Sequence, residues 1–119
     1  MKIAITGANS GVGTILLRHL VPCAGIEVVA CVRSARAAAA LPAGSRVSAR
    51  TIDYGDHQAL AAALRGADCV VHLAGILFES PGSTYQTANV DATRAIAAAC
   101  RTAGIPRVVL VSVLGADPA

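Results

Sequence analysis

Three glycines within seven residues carry the clearest chemical signal in this sequence. They lie in Thr6-Gly7-Ala8-Asn9-Ser10-Gly11-Val12-Gly13, between the apolar run Ile3-Ala4-Ile5 and a segment with apolar residues at helical spacing, Val12, Leu16 and Leu20. A strand that turns sharply into a helix leaves the first-turn N–H groups without internal acceptors, and glycines keep side chains out of an anion's way. Gly7 suits the sharp turn, Gly11 a close approach of backbone to phosphate, and Gly13 tight packing of helix on sheet. The chemistry this permits is non-covalent capture of a dinucleotide's pyrophosphate, with the amides of Ser10, Gly11 and Val12 as donors and Ala8 and Asn9 completing the loop. A plain tight turn is the bland alternative; the strand-turn-helix setting favours the cradle. A phosphate-binding P-loop is excluded, because it needs a lysine at the helix start and Lys2 is the only lysine in the chain.

The elements that must position this turn follow from periodicity. The chain has 119 residues, enough for one domain with its own core. With 55% hydrophobic and 14% charged residues it is too apolar for intrinsic disorder. Strands are expected over Lys2–Thr6, Ile26–Val32, Arg46–Ile52, Asp68–Leu73 and Arg107–Val113. Helices are expected from Val12 to Leu20, from Ser34 to Leu41, after an Asp56 N-cap through Leu60 and Leu64 to a stop at Gly66, and from a Ser83/Gln86 capping box to about Ala103. Near-continuous apolar strands alternating with helices predict an α/β, doubly wound parallel sheet of Rossmann type, with order 3-2-1-4-5.

Composition also excludes classes. A net charge of +3 spread thinly, 3% aromatics and no Trp argue against a nucleic-acid surface. No uncharged apolar run reaches membrane-spanning length, and Thr6, Gly7, Asn9 and Ser10 interrupt any signal-peptide pattern after Lys2. The cysteines Cys23, Cys31, Cys69 and Cys100 are widely spaced, so they read as buried thiols of a reducing compartment, the cytoplasm, and not as a zinc site. No His, Asp, Glu or Cys set has metal-ligand spacing.

The spacing Gly-x-x-x-Gly-x-Gly after Thr6 resembles that of the short-chain dehydrogenase/reductase superfamily. Other segments agree: His72-Leu73-Ala74-Gly75 at the end of strand four, Asp53 after strand three, Asn89-Val90-Asp91-Ala92-Thr93 in the long helix, and Ser112-Val113-Leu114-Gly115-Ala116-Asp117 after strand five. Together with Gly75-Ile76-Leu77-Phe78 they look most like the atypical and extended members, which include the complex I accessory-subunit-like and epimerase/dehydratase-like proteins. The resemblance implies an NAD(P)(H)-binding domain over 1–119, with Leu73, Ala74 and Gly75 beside the cofactor ribose and Asp53, followed by Tyr54, at the adenine. It also implies that the substrate-binding part lies outside this chain, which ends just past strand five.

The form of cofactor turns on the end of strand two. NAD-specific sites place an acid there to bind the ribose 2′-hydroxyl, whereas a nearby Arg suits a 2′-phosphate. Cys31-Val32-Arg33-Ser34 has no acid at that end, and Glu27 lies at the other. Arg33, with Ser34 and Arg36 beside it, therefore favours NADP(H) over NAD(H), the alternative being a merely solvated arginine.

What the resemblance leads one to expect and the sequence lacks is a Tyr-x-x-x-Lys pair. Tyr54 and Tyr85 are followed four residues later by Gln58 and Asn89. A phenol with a pKa near 10 needs such a lysine to exchange protons near neutrality. Ser112 stands where full-length relatives place a catalytic Ser/Thr, but it has no such partner to orient. Catalysis by this chain alone is not expected. The alternative function is a non-catalytic cofactor-sensing or assembly module that binds a protein partner. An exposed edge at strand five predicts self-association.

Overall fold

The run Glu27–Val32 feeds two cores at once, and this places the sheet between two helical layers. Val28, Ala30 and Val32 point into one cluster with Ile5 and Leu17; Val29 and Cys31 point into the other with Ala4, Leu60, Leu64, Val70 and Ile96. Alternating side chains of one strand reach opposite faces, so a strand buried on both must be apolar throughout. The computed structural model describes residues 1–112.

The elements in order are β1 (Lys2–Thr6), α1 (Gly11–Leu20), β2 (Glu27–Val32), α2 (Ala35–Ala39), β3 (Val47–Thr51), α3 (His57–Leu64), β4 (Cys69–His72), a π-turn (Gln86–Asp91) that runs into α4 (Ala92–Ala103), and β5 (Val108–Leu110). All strand pairs are parallel and the order is β3-β2-β1-β4-β5, as the sequence predicts. The strand order reverses at β1, which lies between β2 and β4. In such sheets ligands sit beyond the carboxyl ends of the strands at that reversal. Asp56 caps α3 by accepting from Ala59 N–H at 3.0 Å. Gly66 and Gly104 follow α3 and α4 with φ of +85° and +71°, left-handed turns that suit glycine.

Four expectations are corrected. The helix before α4 is not capped by Ser83 and Gln86. Thr84 and Thr87 form the reciprocal box instead, each amide meeting the other's hydroxyl at 3.2 Å. Ser83 is held back by two 3.0 Å backbone bonds with Ser80. Helix α2 is only five residues long, closing at Ala39. In α1 the apolar line read as Val12, Leu16 and Leu20 is not the buried one: Val12 is exposed and the buried positions are Gly13 and Leu17, because the glycine lets the helix lie close to the sheet on that line. The last strand runs only from Val108 to Leu110 rather than from Arg107, while the exposure of Val108, Val109 and Leu110 agrees with the open edge expected there. β5 pairs only with β4 among the described residues, so it lacks the cover that buries the central strands. The expected end of that strand at Val113, and the segment through Asp117, lie outside the described residues.

Candidate functional site

The glycine turn is built by steric exclusion. Gly7 has φ +65°, and a Cβ there would sit 2.7 Å from the amide nitrogen of Ala74. The turn is thus pressed directly on the loop that leaves β4, with no room for a side chain. A Cβ on Gly13 would strike the carbonyl oxygen of Gly7 and lie 2.7 Å from that of Ala8, so α1 crosses the turn at backbone contact. Ala8 is buried, and its amide donates to the Cys31 carbonyl at 3.4 Å, tying the turn to β2.

Hydrogen bonds then decide which amides are left over. Ser10 N–H donates to the Gly7 carbonyl at 3.0 Å, and Ser10 Oγ caps α1 by accepting from Gly13 N–H at 3.0 Å. The Ser10 amide is therefore taken up by the turn itself. Gly11 and Val12 lie on the exposed first turn of α1, and their amides have no acceptor among the described residues. A Cβ on Gly11 would meet nothing within 4 Å, so that position is open on its outer side. Unpaired first-turn amides at the positive end of the helix dipole favour an anion.

Beside the turn lies a cleft of about 940 Å³, at the upper end of the usual size for small-molecule sites. Its lining brings together Gly7, Asn9, Ser10, Arg33, Asp53, Tyr54 and the segment Leu73, Ala74 and Gly75, residues from the ends of four strands. Of the other positions singled out from sequence, Ala8 and Gly13 lie beneath the turn, and Gly11 and Val12 are on the helix beside it. Ser112 is exposed beyond β5 and does not line the cleft. Asp53 Oδ1 accepts from Gly55 N–H at 2.8 Å, which fixes the carboxylate at the rim. Ser34 Oγ accepts from Ala37 N–H at 3.1 Å and keeps its own hydrogen free to donate.

Two groups of the cleft lining, Tyr54 and Cys31, do not suit acid–base work near neutrality. Burial pushes the Tyr54 phenol above its ordinary value. Burial raises the Cys31 thiol to about 12, with Arg50 pulling the other way. Both stay protonated at neutral pH. Burial lowers the His72 pKa below 6.5, so that ring is neutral. Among the described residues no group of three or more His, Cys, Asp or Glu could hold a metal ion. The arrangement can bind and orient, and among the described residues the cleft's Cys31 thiol is not an activated nucleophile.

The opposite wall was not legible from sequence as a structure. Asn89 reaches from the π-turn to clamp Ile76: its Oδ1 accepts from Ile76 N–H at 2.8 Å and its Nδ2 donates to Ile76 C=O at 3.1 Å. Tyr85, exposed rather than packed in the core, donates its hydroxyl to Leu77 C=O at 2.9 Å. Ile76, Thr87, Ala88 and Ala92 thereby join the cleft lining. A π-turn inserts a residue into helical periodicity, so a 3.6-residue pattern misplaces its faces. The available signal was the spacing of Asn89 and Thr93, four residues apart on one helical face.

Comparison with known proteins agrees with this geometry. The NAD(P)H-binding family matches residues 7–119, nearly the whole chain. No match is found among curated proteins. Among solved structures, uronate dehydrogenase from Agrobacterium tumefaciens, complexed with NAD, superposes with a TM-score of 0.76 at 29% identity, over 93% of this chain and 40% of its own. MoeE5, in complex with UDP-glucose and NAD, gives 0.77 at 32% identity, over 98% of this chain and 39% of its own. Glucuronic acid dehydrogenase from Chromohalobacter salexigens gives 0.78 at 27% identity, over 95% and 41%. The chain therefore spans about two fifths of these proteins. The resemblance drawn from the motifs is borne out as membership of the NAD(P)H-binding family, with dehydrogenases among the structural neighbours.

Proposed function

We propose that this chain, which belongs to the NAD(P)H-binding family, holds a nicotinamide dinucleotide in the cleft beside Gly7, NADP(H) in preference to NAD(H). The observation that carries the reading is the turn itself: two glycines, Gly7 and Gly13, whose side-chain positions are filled by backbone, and between them two first-turn amides, Gly11 and Val12, without acceptors. The turn Gly7–Gly13 would hold the pyrophosphate through the free amides of Gly11 and Val12, Asp53 and Tyr54 would hold the adenine end, and Leu73, Ala74 and Gly75 the ribose. When bound, the nicotinamide supplies hydride chemistry. This chain's residues bind and orient it, and with Lys2 the only lysine no proton-transfer step is assigned to them. By likeness to uronate and nucleotide-sugar enzymes, a larger protein containing this domain would move a hydride at a carbonyl or alcohol of a sugar acid or sugar nucleotide.

The preference for NADP(H) rests on Arg33 and Ser34 at the end of β2, with Glu27 at the far end of that strand. Two of the structural neighbours, uronate dehydrogenase and MoeE5, are complexed with NAD, so the test must use both cofactors. Titration calorimetry should show tighter binding of NADP(H), and Arg33→Ala should weaken it by roughly 10- to 100-fold while changing NAD(H) little. Tighter NAD(H) binding that is indifferent to Arg33→Ala refutes the preference. No heat with either nucleotide refutes the function.

The exposed residues Val108, Val109, Leu110 and Val111 favour a second property, self-association at the β5 edge. Sedimentation should give a mass that rises with concentration; a monomer throughout counts against it. The four cysteines, widely spaced and without a C-x-x-C pair, support a cytoplasmic location.

A further inference from the structure

Thr6 and His72 are the buried polar side chains among the described residues, and they are bonded to each other. They end β1 and β4 as direct neighbours in the sheet register. Thr6 Oγ1 lies 2.6 Å from His72 Nδ1. On the other side, His72 Nε2 lies 3.2 Å from Thr93 Oγ1 in the first turn of α4. Both ring nitrogens are thus met by hydroxyls from two other elements, and the ring edge of Tyr54 stands against the imidazole at 6.3 Å and 78°.

Counting hydrogens fixes the direction of this chain. A threonine hydroxyl has one hydrogen, and Thr93 donates it to the Asn89 carbonyl at 2.6 Å. Toward His72, Thr93 can therefore only accept. The ring hydrogen must sit on Nε2, and Nδ1 must accept from Thr6. Asn89 then continues the path through its side-chain clamp on Ile76. One end of the path is Thr6, whose successor is Gly7; the other is Ile76. Gly7 and Ile76 both line the cleft.

We propose that Thr6, His72, Thr93 and Asn89 form a directional tie that sets the spacing between the glycine turn and the far wall of the cleft. His72 and Thr93 are then positioning residues that act on the nucleotide without touching it. This rests on the cleft being the nucleotide site. Buried hydrogen-bond networks of this kind rigidify when every member is satisfied, and here no buried side-chain polar atom among the described residues lacks a partner. Sites that bind by orientation lose affinity when their walls shift by fractions of an ångström.

The test combines a spectroscopic signature with a rescue. Long-range nitrogen–proton spectra of the ¹⁵N-histidine-labelled full chain should show His72 as a neutral Nε2–H tautomer at neutral pH. A Nδ1–H tautomer or an imidazolium overturns the direction of the tie. Thr93→Val removes the acceptor, and NADPH should bind about tenfold more weakly; Thr93→Ser keeps the hydroxyl and should bind within about twofold of the wild type. Equal NADPH affinity in wild type and Thr93→Val overturns the positioning role. Should Thr93→Val fail to fold by circular dichroism, Thr93→Ala, which is smaller and leaves room for water, replaces it with the same expectation. If the wild type binds neither NADPH nor NADH, the nucleotide-site reading and the positioning role fall together, while the tautomer spectrum still decides the tie.

Discussion

The two walls of the cleft are made in different ways. The wall at Gly7–Gly13 is backbone against backbone: Gly7 rests on the Ala74 amide and Gly13 on the turn's own carbonyls. The wall from His72 to Thr93 is held by side chains, with Asn89 on Ile76, Tyr85 on Leu77 and His72 between two threonines. At Gly7 and Gly13 a backbone-built wall tolerates almost no added atom, because neither surface can rotate away. A side-chain wall fails by degrees as single hydrogen bonds are lost.

The largest effect should fall on the backbone wall. Gly13→Val places branched carbons where the Gly7 and Ala8 carbonyls already stand, and should cost about 3 kcal/mol or more. In a urea titration the midpoint should fall sharply or the folded baseline vanish. A variant with wild-type stability breaks the comparison, since it would show that α1 can move off the turn.

On the other wall Asn89→Ala removes two bonds to Ile76 and should cost about 1–3 kcal/mol. Hydrogen exchange sharpens the contrast. Amides of the segment 76–85 should exchange faster, while those of α1 keep their protection. Equal acceleration in both places would mean that the walls are one cooperative unit.

The smallest effect is the pH dependence that His72 brings to the side-chain wall. Burial places its folded pKa below 6.5, so the unfolded chain binds the proton first as the pH falls. His72 thus contributes stability in full above about pH 6.5, and that contribution is lost on acidification toward the folded pKa, at no more than about 1.4 kcal/mol per pH unit. Melting temperatures should drop below pH 6.5, and His72→Asn should flatten that part of the profile. An unchanged slope in the variant would assign the acid sensitivity to the carboxylates.

How much of this could be read in advance differs along the same line. The glycine turn, the parallel order of five strands, and the presence of Arg33, Asp53 and Leu73–Gly75 at one cleft were legible, since each is a local pattern placed by a strand end. The Ser83 cap was misplaced by one residue. Thr84 and Thr87 satisfied the same orphan amides, and the Ser80–Ser83 pairing removed the competitor. The length of β5 was overestimated from its run of Val and Leu, whereas its exposure was expected, because apolar composition states what a strand could bury and not whether anything covers it.

The sequence by itself determined the sheet and the turn. Apolar runs, glycine positions and caps act over a few residues, and right-handed crossovers leave the parallel strands little choice of order. Only the tertiary structure decided the partners of the buried groups. Thr6 and His72 are 66 residues apart, His72 and Thr93 are 21, and Ile76 and Asn89 are 13. Hydrogen bonds over such spans depend on where the crossovers set each strand end, and a residue's type records its capacity to donate or accept but not which group it will face.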